Sequence, residues 1–360
     1  VGLHELELRN FRLFEELRFA PDRDAVTVLL SPNGTGKTSV LEAVYALATA
    51  SSFRSSAASD MIRGGEQIAE VHGVLFQRER RVQVDLTLTR GVRNTTKRML
   101  VNGQRPQSRA DVAGVLPLTI FTPEGVDIVR QGPENRRTFL THLLSDVDLS
   151  TGDIIERFAR VLSQRNALLR ALHGELPTQS QRDELDVWSR DFGDVSDELV
   201  SVRRRVLDDL VPLVTRYYQE LAQDNLRVGI EYEQSWNGDL FDALQGSLDD
   251  DRFRGHTTIG PQRDDILLTL DDRDARRQAS QGEQRSLALA LRLGGHELVQ
   301  QTRGVDPLLL LDDVFSELDP LRSDRLLRLL PAGQTLVTTA SPLPSAMSPA
   351  AVIDLSKHET

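Results

Sequence analysis

Hydrophobic residues along this chain change period several times, and each change predicts a different element. Ala25 to Leu30, AVTVLL, is an unbroken β-branched and leucine run of the length of a strand buried on both faces. The stretch KTSVLEAVYALATA from Lys37 then spaces its apolar residues as a helix does. From Val71 to Val101 the period drops to two, in VHGVLF, RVQVDLTL and RMLVNGQ, with Asn102-Gly103 supplying a hairpin turn. That alternation predicts an antiparallel β lobe over about residues 71–110. From Asp153 to Gln223 the period is helical again: Ile154, Ile155, Phe158, Val161 and Leu162 belong to one segment and Leu185, Trp188, Phe192 and Leu199 to another, with Pro177 in the turn between. The expectation is an antiparallel helical pair, kinked near Pro212. A further helix starts at Ser280 as N-cap and lines Leu287, Leu291, Gly294 and Leu298 along one face. Four leucines before Asp312, TLVTT at Thr335–Thr339 and a small strand in AAVIDL at Ala350–Leu355 complete the set.

The turn between the first buried strand and its helix carries candidate chemistry. SPNGTGKT, Ser31 to Thr38, nearly spells the phosphate-binding loop G-x-x-x-x-G-K-[ST], with serine where the first glycine is usual. In a strand–turn–helix setting, the backbone N–H groups of Asn33 to Thr38 point inward at a helix N-terminus whose unpaired donors favour an anion. Gly34 and Gly36 let the backbone curl, Lys37 bridges the β- and γ-phosphates, and the Thr38 hydroxyl is a Mg²⁺ ligand. The candidate ATP-binding residues are therefore Ser31, Pro32, Asn33, Gly34, Thr35, Gly36, Lys37 and Thr38. An accidental likeness is the alternative, and a second motif weighs against it. VDPLLLLDDVFSELDP delivers Asp312 and Asp313 to the C-terminal end of a strand, with Asp312 as candidate Mg²⁺ ligand. Asp313, together with Lys37, is the candidate catalytic residue, placed to orient or deprotonate the attacking water. It is one methylene shorter than the glutamate of many related ATPases, so hydrolysis is expected to be slow. Lys37 and Asp312 lie 275 positions apart (312 − 37) yet must meet at one phosphate, so the chain between them leaves the sheet and returns.

Composition narrows the class. At 360 residues, 39% apolar and 27% charged, the chain is of soluble globular type, with length for two or three packed units. No run of eighteen apolar residues occurs and no basic head precedes an apolar stretch, so no membrane span or secretory signal is legible and a cytoplasmic location is expected. The start at Val1 points to a missing initiator methionine. Zero cysteines exclude disulfides, thiolate zinc sites and catalytic thiols. A net charge of −11 argues against coating nucleic acid by bulk attraction and says nothing of a local basic patch, which the distribution of charge must decide. One exists between Phe76 and Arg109, where Arg78, Arg80, Arg81, Arg90, Arg93, Lys97, Arg98, Arg105 and Arg109 face only Glu79 and Asp85. Arg90, Arg93, Lys97 and Arg98 are the candidate contacts to a duplex backbone. The competing reading is a solvated hairpin, rich in arginine because only Lys37, Lys97 and Lys357 of the 43 basic residues are lysines. Arg203 to Arg205 form a weaker candidate, expected on a solvated helix face. No aromatic residues interleave to stack single-stranded bases.

The helix at Ser280 decides the subclass. SQGEQR at its start resembles the signature of ABC-type ATPases in the form carried by the RecF family of SMC-like proteins. The likeness extends along the chain. LHELELRNFRLFEELRF matches N-F-R at Asn10, Phe11 and Arg12; FTPEGVDIVRQGPENRRTFL is similar to F-x-P-E and R-R-x-F-L; IGPQRDD is similar to G-P-H-R-D-D, with Gln262 for histidine; and SELD, Ser316 to Asp319, looks like the D-loop. The resemblance implies an α/β, ABC-type P-loop ATPase head at 1–145 and 224–360, carrying the β lobe, with an inserted helical arm at 146–223. It implies that Ser280 and Gly282 of one subunit cap the γ-phosphate held by another. It further implies a weak, DNA-stimulated, Mg²⁺-dependent ATPase that dimerises on ATP, binds gapped DNA in recombinational repair, and works with RecR and RecO to load RecA. Two departures stand out: Thr338, Thr339 and Ala340 occupy the place of a transporter's switch histidine, and Phe121 to Glu124 that of its Q-loop glutamine. Two other readings remain open, a transporter-type ATPase and a nucleotide-gated scaffold that does not hydrolyse.

Overall fold

A computed structural model describes the chain except for residues 24, 33, 78–79, 108–110, 113, 173–176, 341–346, 348 and 356–360, and of residue 317 it describes the backbone only. Asn33, Arg78, Glu79, Arg109 and Lys357 thus lie outside the described residues. The strands are β1 (Gly2–Phe11), β2 (Phe14–Phe19), β3 (Val26–Leu30), β4 (Ile68–Gln77), β5 (Arg80–Thr89), β6 (Thr96–Val101), β7 (Leu118–Phe121), β8 (Val228–Glu233), β9 (Asp265–Leu270), β10 (Arg273–Asp274), β11 (Leu308–Asp312), β12 (Thr335–Thr339) and β13 (Ala351–Asp354). The longer helices are numbered α1 (Lys37–Thr49), α2 (Pro133–Val147), α3 (Thr151–Ala171), α4 (Gln179–Ala222), α5 (Gln281–Arg303) and α6 (Pro320–Leu329).

The unbroken apolar runs assemble into one parallel sheet, in the order β13-β3-β12-β11-β7. Runs such as VTVLL and LLLLD suit it because helices and loops cover both of its faces. In this order β12 lies between β3 and β11, with Thr339 beside Leu30 and Thr338 beside Asp312. The ends of all three strands, and whatever chemistry follows them, therefore open on one edge.

The alternating strands form the antiparallel lobe, but the lobe is larger than its local pattern. Its order is β2-β1-β4-β5-β6, so the N-terminal hairpin is part of the same sheet. The inner face, with Leu3, Leu6, Leu8, Val71 and Leu86, packs on Val40, Leu41 and Val44 of α1. Contact is close enough that a Cβ on Gly73 would sit 2.6 Å from Leu47 Cδ1. A buried amide ties the lobe to the parallel sheet: Gln334 Oε1 accepts from Leu3 N at 2.6 Å, while its Nε2 donates to Leu3 O and Asp22 O at 2.7 and 2.6 Å. A side chain here does the work of a strand's backbone groups.

The arm is α3 and α4. Arg157 meets Glu198 and Arg165 meets Ser189, the crossed order of an antiparallel pair. Thr178 opens α4 with a capping box to Gln181, and α4 then continues through Pro212 as one 44-residue helix. Val214, just past that proline, approaches α5 so closely that a Cβ on Gly294 would lie 3.2 Å from its backbone nitrogen. The arm's apolar residues, including Phe158, Phe192, Leu199 and Leu210, share one core with Leu287 and Leu291 of α5 and Leu309 and Leu311 of β11. A third sheet, β10-β9-β8, and two short helices, Leu240–Gly246 and Leu248–Arg254, have no counterpart among the elements read from the sequence. A fully buried ion pair, Arg165 to Asp251 at 2.8 Å, fixes the second short helix to the arm. No helix among the described residues is long and apolar enough to cross a membrane.

Candidate functional site

The loop after β3 curls back over the N-terminus of α1. Gly34 and Gly36 take φ of 85° and 96°, the left-handed region that a side chain would resist. Gly36 has a second constraint, since a Cβ there would meet the Phe14 ring at 2.6 Å. The β1–β2 turn, which carries Arg12 and Phe14, is thereby packed against the loop. Among the described residues no side chain caps α1 at its N-terminus, so its first N–H groups stay directed at the loop's interior. Lys37 is buried, and its Nζ donates to Ser31 O at 2.6 Å and Pro32 O at 2.9 Å. Burial lowers the Lys37 pKa, against the pull of Asp313 and Asp312. Thr35 Oγ1 donates to Pro32 O, closing the turn at 2.8 Å. Ser31 is held by its backbone, N to Thr339 O at 3.4 Å, while its buried hydroxyl has no partner among the described residues.

Asp312 arrives from the other side. Thr38 Oγ1 donates to its Oδ1 at 2.9 Å and Thr338 Oγ1 to the same oxygen at 2.6 Å. Thr338 Oγ1 also accepts from Asp313 N at 3.1 Å, so one hydroxyl braces both aspartates. Burial raises the Asp312 pKa; the two hydroxyls oppose this, and Asp313 and Glu124 reinforce it. A buried carboxylate pushed toward neutrality by two neighbouring carboxylates is a group whose charge calls for a cation. Asp313 itself adopts φ 48°, a strained turn directly after the strand. The residues fit a triphosphate with a hard divalent cation: helix N–H groups and Lys37 for the phosphates, Thr38 Oγ1 and Asp312 for the metal. Among the described residues no group of three or more His, Asp or Glu could hold a metal ion unaided. Glu124 and Thr338 escaped the sequence reading. Glu124 had its signal in F-x-P-E, and Thr338 stands in the position read as a lost histidine.

A second set of residues stiffens the loop helix from outside. Glu42 of α1 is fully buried and accepts from Arg12 Nε at 2.8 Å and Nη2 at 2.5 Å, and from Ser52 Oγ at 2.5 Å, with Arg54 Nη1 at 3.5 Å. Arg12 of the N-F-R stretch is thus a brace for α1.

The signature residues sit elsewhere on the head. Ser280 is exposed and caps α5, its Oγ accepting from Glu283 N at 3.3 Å, while Glu283 Oε2 accepts from Ser280 N at 2.6 Å. Those bonds hold the Glu283 pKa down. Gly282 lies under Arg322 of α6, whose Nη2 would be 2.7 Å from a Cβ there, and Arg322 Nη1 pairs with Asp319 of the D-loop at 2.6 Å. Asp319 also caps α6 through Arg322 N at 2.9 Å. The signature turn and the D-loop therefore form one unit.

Of the candidate DNA contacts, Arg90, Arg93, Lys97 and Arg98 are all exposed near the β5–β6 hairpin end. Lys97 Nζ donates to Ala50 O at 2.8 Å, at the C-terminus of α1, and Arg90 donates to Ser59 O and Glu66 O. The sheet's outer face is not uniformly basic, because Glu5, Glu7, Glu16 and Glu70 alternate with Arg9 and Arg18. Arg203, expected on a solvated face, is instead buried and donates to Tyr232 Oη and Pro261 O. The R-R-x-F-L and G-P-x-R-D-D stretches clasp each other: Arg136 forks onto Asp265 at 2.8 and 2.9 Å, and Arg137 donates to Asp264 O at 2.6 Å. Gln262, in the histidine's place, donates to Ile259 O at 2.8 Å.

Comparison with known proteins agrees with this arrangement. The family model described as RecF/RecN/SMC N terminal domain matches residues 2–345. The DNA replication and repair protein RecF of Acidothermus cellulolyticus is 34% identical over 352 residues, covering 94% of this chain and 93% of that protein. RecF of Streptomyces avermitilis is 34% identical over 351 residues, covering 93% and 92%. Among solved structures, the recombination mediator protein RecF-ATP in the RecFOR pathway superposes with a TM-score of 0.87 at 27% identity, over 98% of this chain and 94% of that one. An Smc head bound to the C-winged helix domain of ScpA shares the fold, with a TM-score of 0.55 at 15% identity over 96% and 91%. Agreement in sequence and in fold over nearly the whole length means that the chain belongs to the RecF family of SMC-like ATPases.

Proposed function

We propose that this protein is an ATP-dependent DNA-binding protein of recombinational repair, which ATP drives into a homodimer. The convergence of Lys37, Thr38 and the Thr338-braced Asp312 on one sheet edge carries the reading, together with a signature turn, Ser280 and Gly282, on the head's surface. Relatives described as RecF with ATP and with ATPrS support ATP as the ligand. Bound with Mg²⁺, ATP supplies a concentrated negative charge for two subunits to share. On this chain Lys37 leaves the Ser31 and Pro32 carbonyls for the phosphates, Thr38 and Asp312 hold the cation, and Asp313 orients a water. Ser280 and the Gly282 N–H cap the phosphates held by the partner copy. Pairing of two copies brings their β5–β6 hairpins to bear on DNA, and slow hydrolysis releases it. RecR and RecO are the proposed partners, with RecA loaded downstream, by the RecFOR setting of the relatives.

Light scattering with ATP, ADP or no nucleotide tests this. The expected outcome is a dimer with Mg²⁺-ATP alone. Lys37→Met should lose ATP binding, whereas Ser280→Arg should bind ATP and remain monomeric. A wild-type chain that stays monomeric at saturating ATP and Mg²⁺, with or without DNA, rejects the proposal. Phosphate release measured with and without duplex DNA separates a hydrolysing dimer from a nucleotide-gated scaffold.

A further inference from the structure

The arm meets the head in a groove for which the nucleotide reading has no use. It has a volume of about 630 Å³ and lies between α2, α3, α4 and the turn holding Gln262. Phe158, Leu162 and Leu199 contribute an apolar floor, while Arg137, Arg170 and Arg203 line it against a single acid, Glu134. In a chain of net charge −11 this is a local reversal of sign.

The arginines are poorly compensated. Arg203 is 5% exposed, its Nη1 donates only to the uncharged oxygens of Tyr232 and Pro261, and its buried Nε has no partner among the described residues. Arg137 donates to a backbone carbonyl, Asp264 O. Its pKa is lowered by burial, and Arg203 and Arg263 act in the same direction, against Asp265 and Glu134. Arg170 stands exposed at the groove's mouth. None of the three forms an ion pair with a carboxylate among the described residues. Arg203, the buried one of the three, has Asp264 nearby, but that carboxylate accepts from Tyr232 and Ser235, so an arriving carboxylate can still take up an unused guanidinium donor.

We propose that this groove binds an acidic peptide segment of a partner protein, in which carboxylates alternate with leucine- or phenylalanine-sized side chains. The carboxylates meet Arg137, Arg170 and Arg203, and the apolar side chain seats on Phe158, Leu162 and Leu199. A nucleic-acid backbone would use the arginines and leave the apolar floor wet. The proposal is independent of ATP and of the dimer.

The test is fluorescence anisotropy on the full chain with a fluorescein-labelled peptide alternating aspartate with leucine and phenylalanine. Controls are a peptide of equal charge with serine at the apolar positions, and single-stranded and duplex oligonucleotides as competitors. Saturable binding is expected, weakened at least tenfold by Arg170→Glu, by Leu162→Asp and by the serine peptide, and resistant to oligonucleotide at equal negative charge. Both substituted residues are at least partly exposed, and circular dichroism of each variant checks its fold. Absent binding, affinity unchanged in Arg170→Glu, or displacement by DNA at equal charge overturns the proposal; the last assigns the groove to nucleic acid.

Discussion

Thr338 is built into the site although it is not the residue that a transporter's motif places there. A hydroxyl at the end of β12 donates to the Asp312 carboxylate and accepts from Asp313 N, so the strand position read as a missing histidine is occupied by a group that braces one carboxylate and the backbone of the next residue. Ser31 is the opposite case: a serine in a glycine's place whose backbone serves the loop and whose hydroxyl does nothing visible. His296 of α5 makes a prediction at this scale. It is 1% exposed, its Nδ1 lies 3.2 Å from Thr119 Oγ1, its Nε2 has no partner among the described residues, and burial pushes its pKa down to about 4. The unfolded chain, with an ordinary histidine, takes up this proton first as pH falls. Stability from this group is therefore complete above the ordinary histidine pKa and is lost as pH drops from there toward 4. Between pH 7 and 5 the loss is about 2 kcal/mol for one such shift. Urea unfolding at the two pH values should show it, and His296→Phe should remove that part of the pH dependence; an unchanged difference would mean that His296 is protonated in the folded protein.

At the scale of elements, what could be read from sequence was whatever is settled locally. β3, its loop and α1 announce themselves because strand, glycine turn and helix are adjacent. LLLLDD does so because a strand buried on both faces needs no partner to be recognised. The hairpin β1–β2 did not reveal its sheet, since β1 pairs with β4 through contacts such as Leu8 with Val71, which only the folded chain brings together. The family stretches around Arg136 and Asp265 were visible as motifs, but their work as a clasp between α2 and β9 depends on side-chain geometry that spacing cannot carry. Lys97 changes meaning for the same reason. Expected to touch DNA, it also places its ammonium on Ala50 O, where the dipole of α1 is negative. Lys97→Met should lower unfolding free energy by about 0.5 kcal/mol in urea titration. No change would show that the bond to Ala50 is not kept in solution.

For the whole molecule, charge and symmetry set the constraints. An acidic chain is expected to approach DNA through a local patch, and Arg93 and Arg98 are exposed candidates near the hairpin end. Neutralising both should weaken DNA binding and flatten its log–log salt dependence by about 0.9 for each phosphate that the protein no longer neutralises. An unaltered slope would move DNA to another surface. The signature turn, joined to the D-loop through Arg322 and Asp319, is exposed at Ser280, as the proposed pairing of two copies requires.

The strand order of the parallel sheet also bears on how the chain is made. β3 hydrogen-bonds only to β12 and β13, and its residue Val26 pairs with Thr335, which a ribosome adds 309 residues later (335 − 26). At roughly 5–20 residues per second that interval is about 15–60 s, during which a bare apolar strand waits for neighbours not yet translated. Gln334, which fastens residue 3 to the sheet, is likewise translated 331 residues after its partner. The edge that β3 offers to β12 therefore stays open, and able to pair wrongly, until Thr335 has been translated.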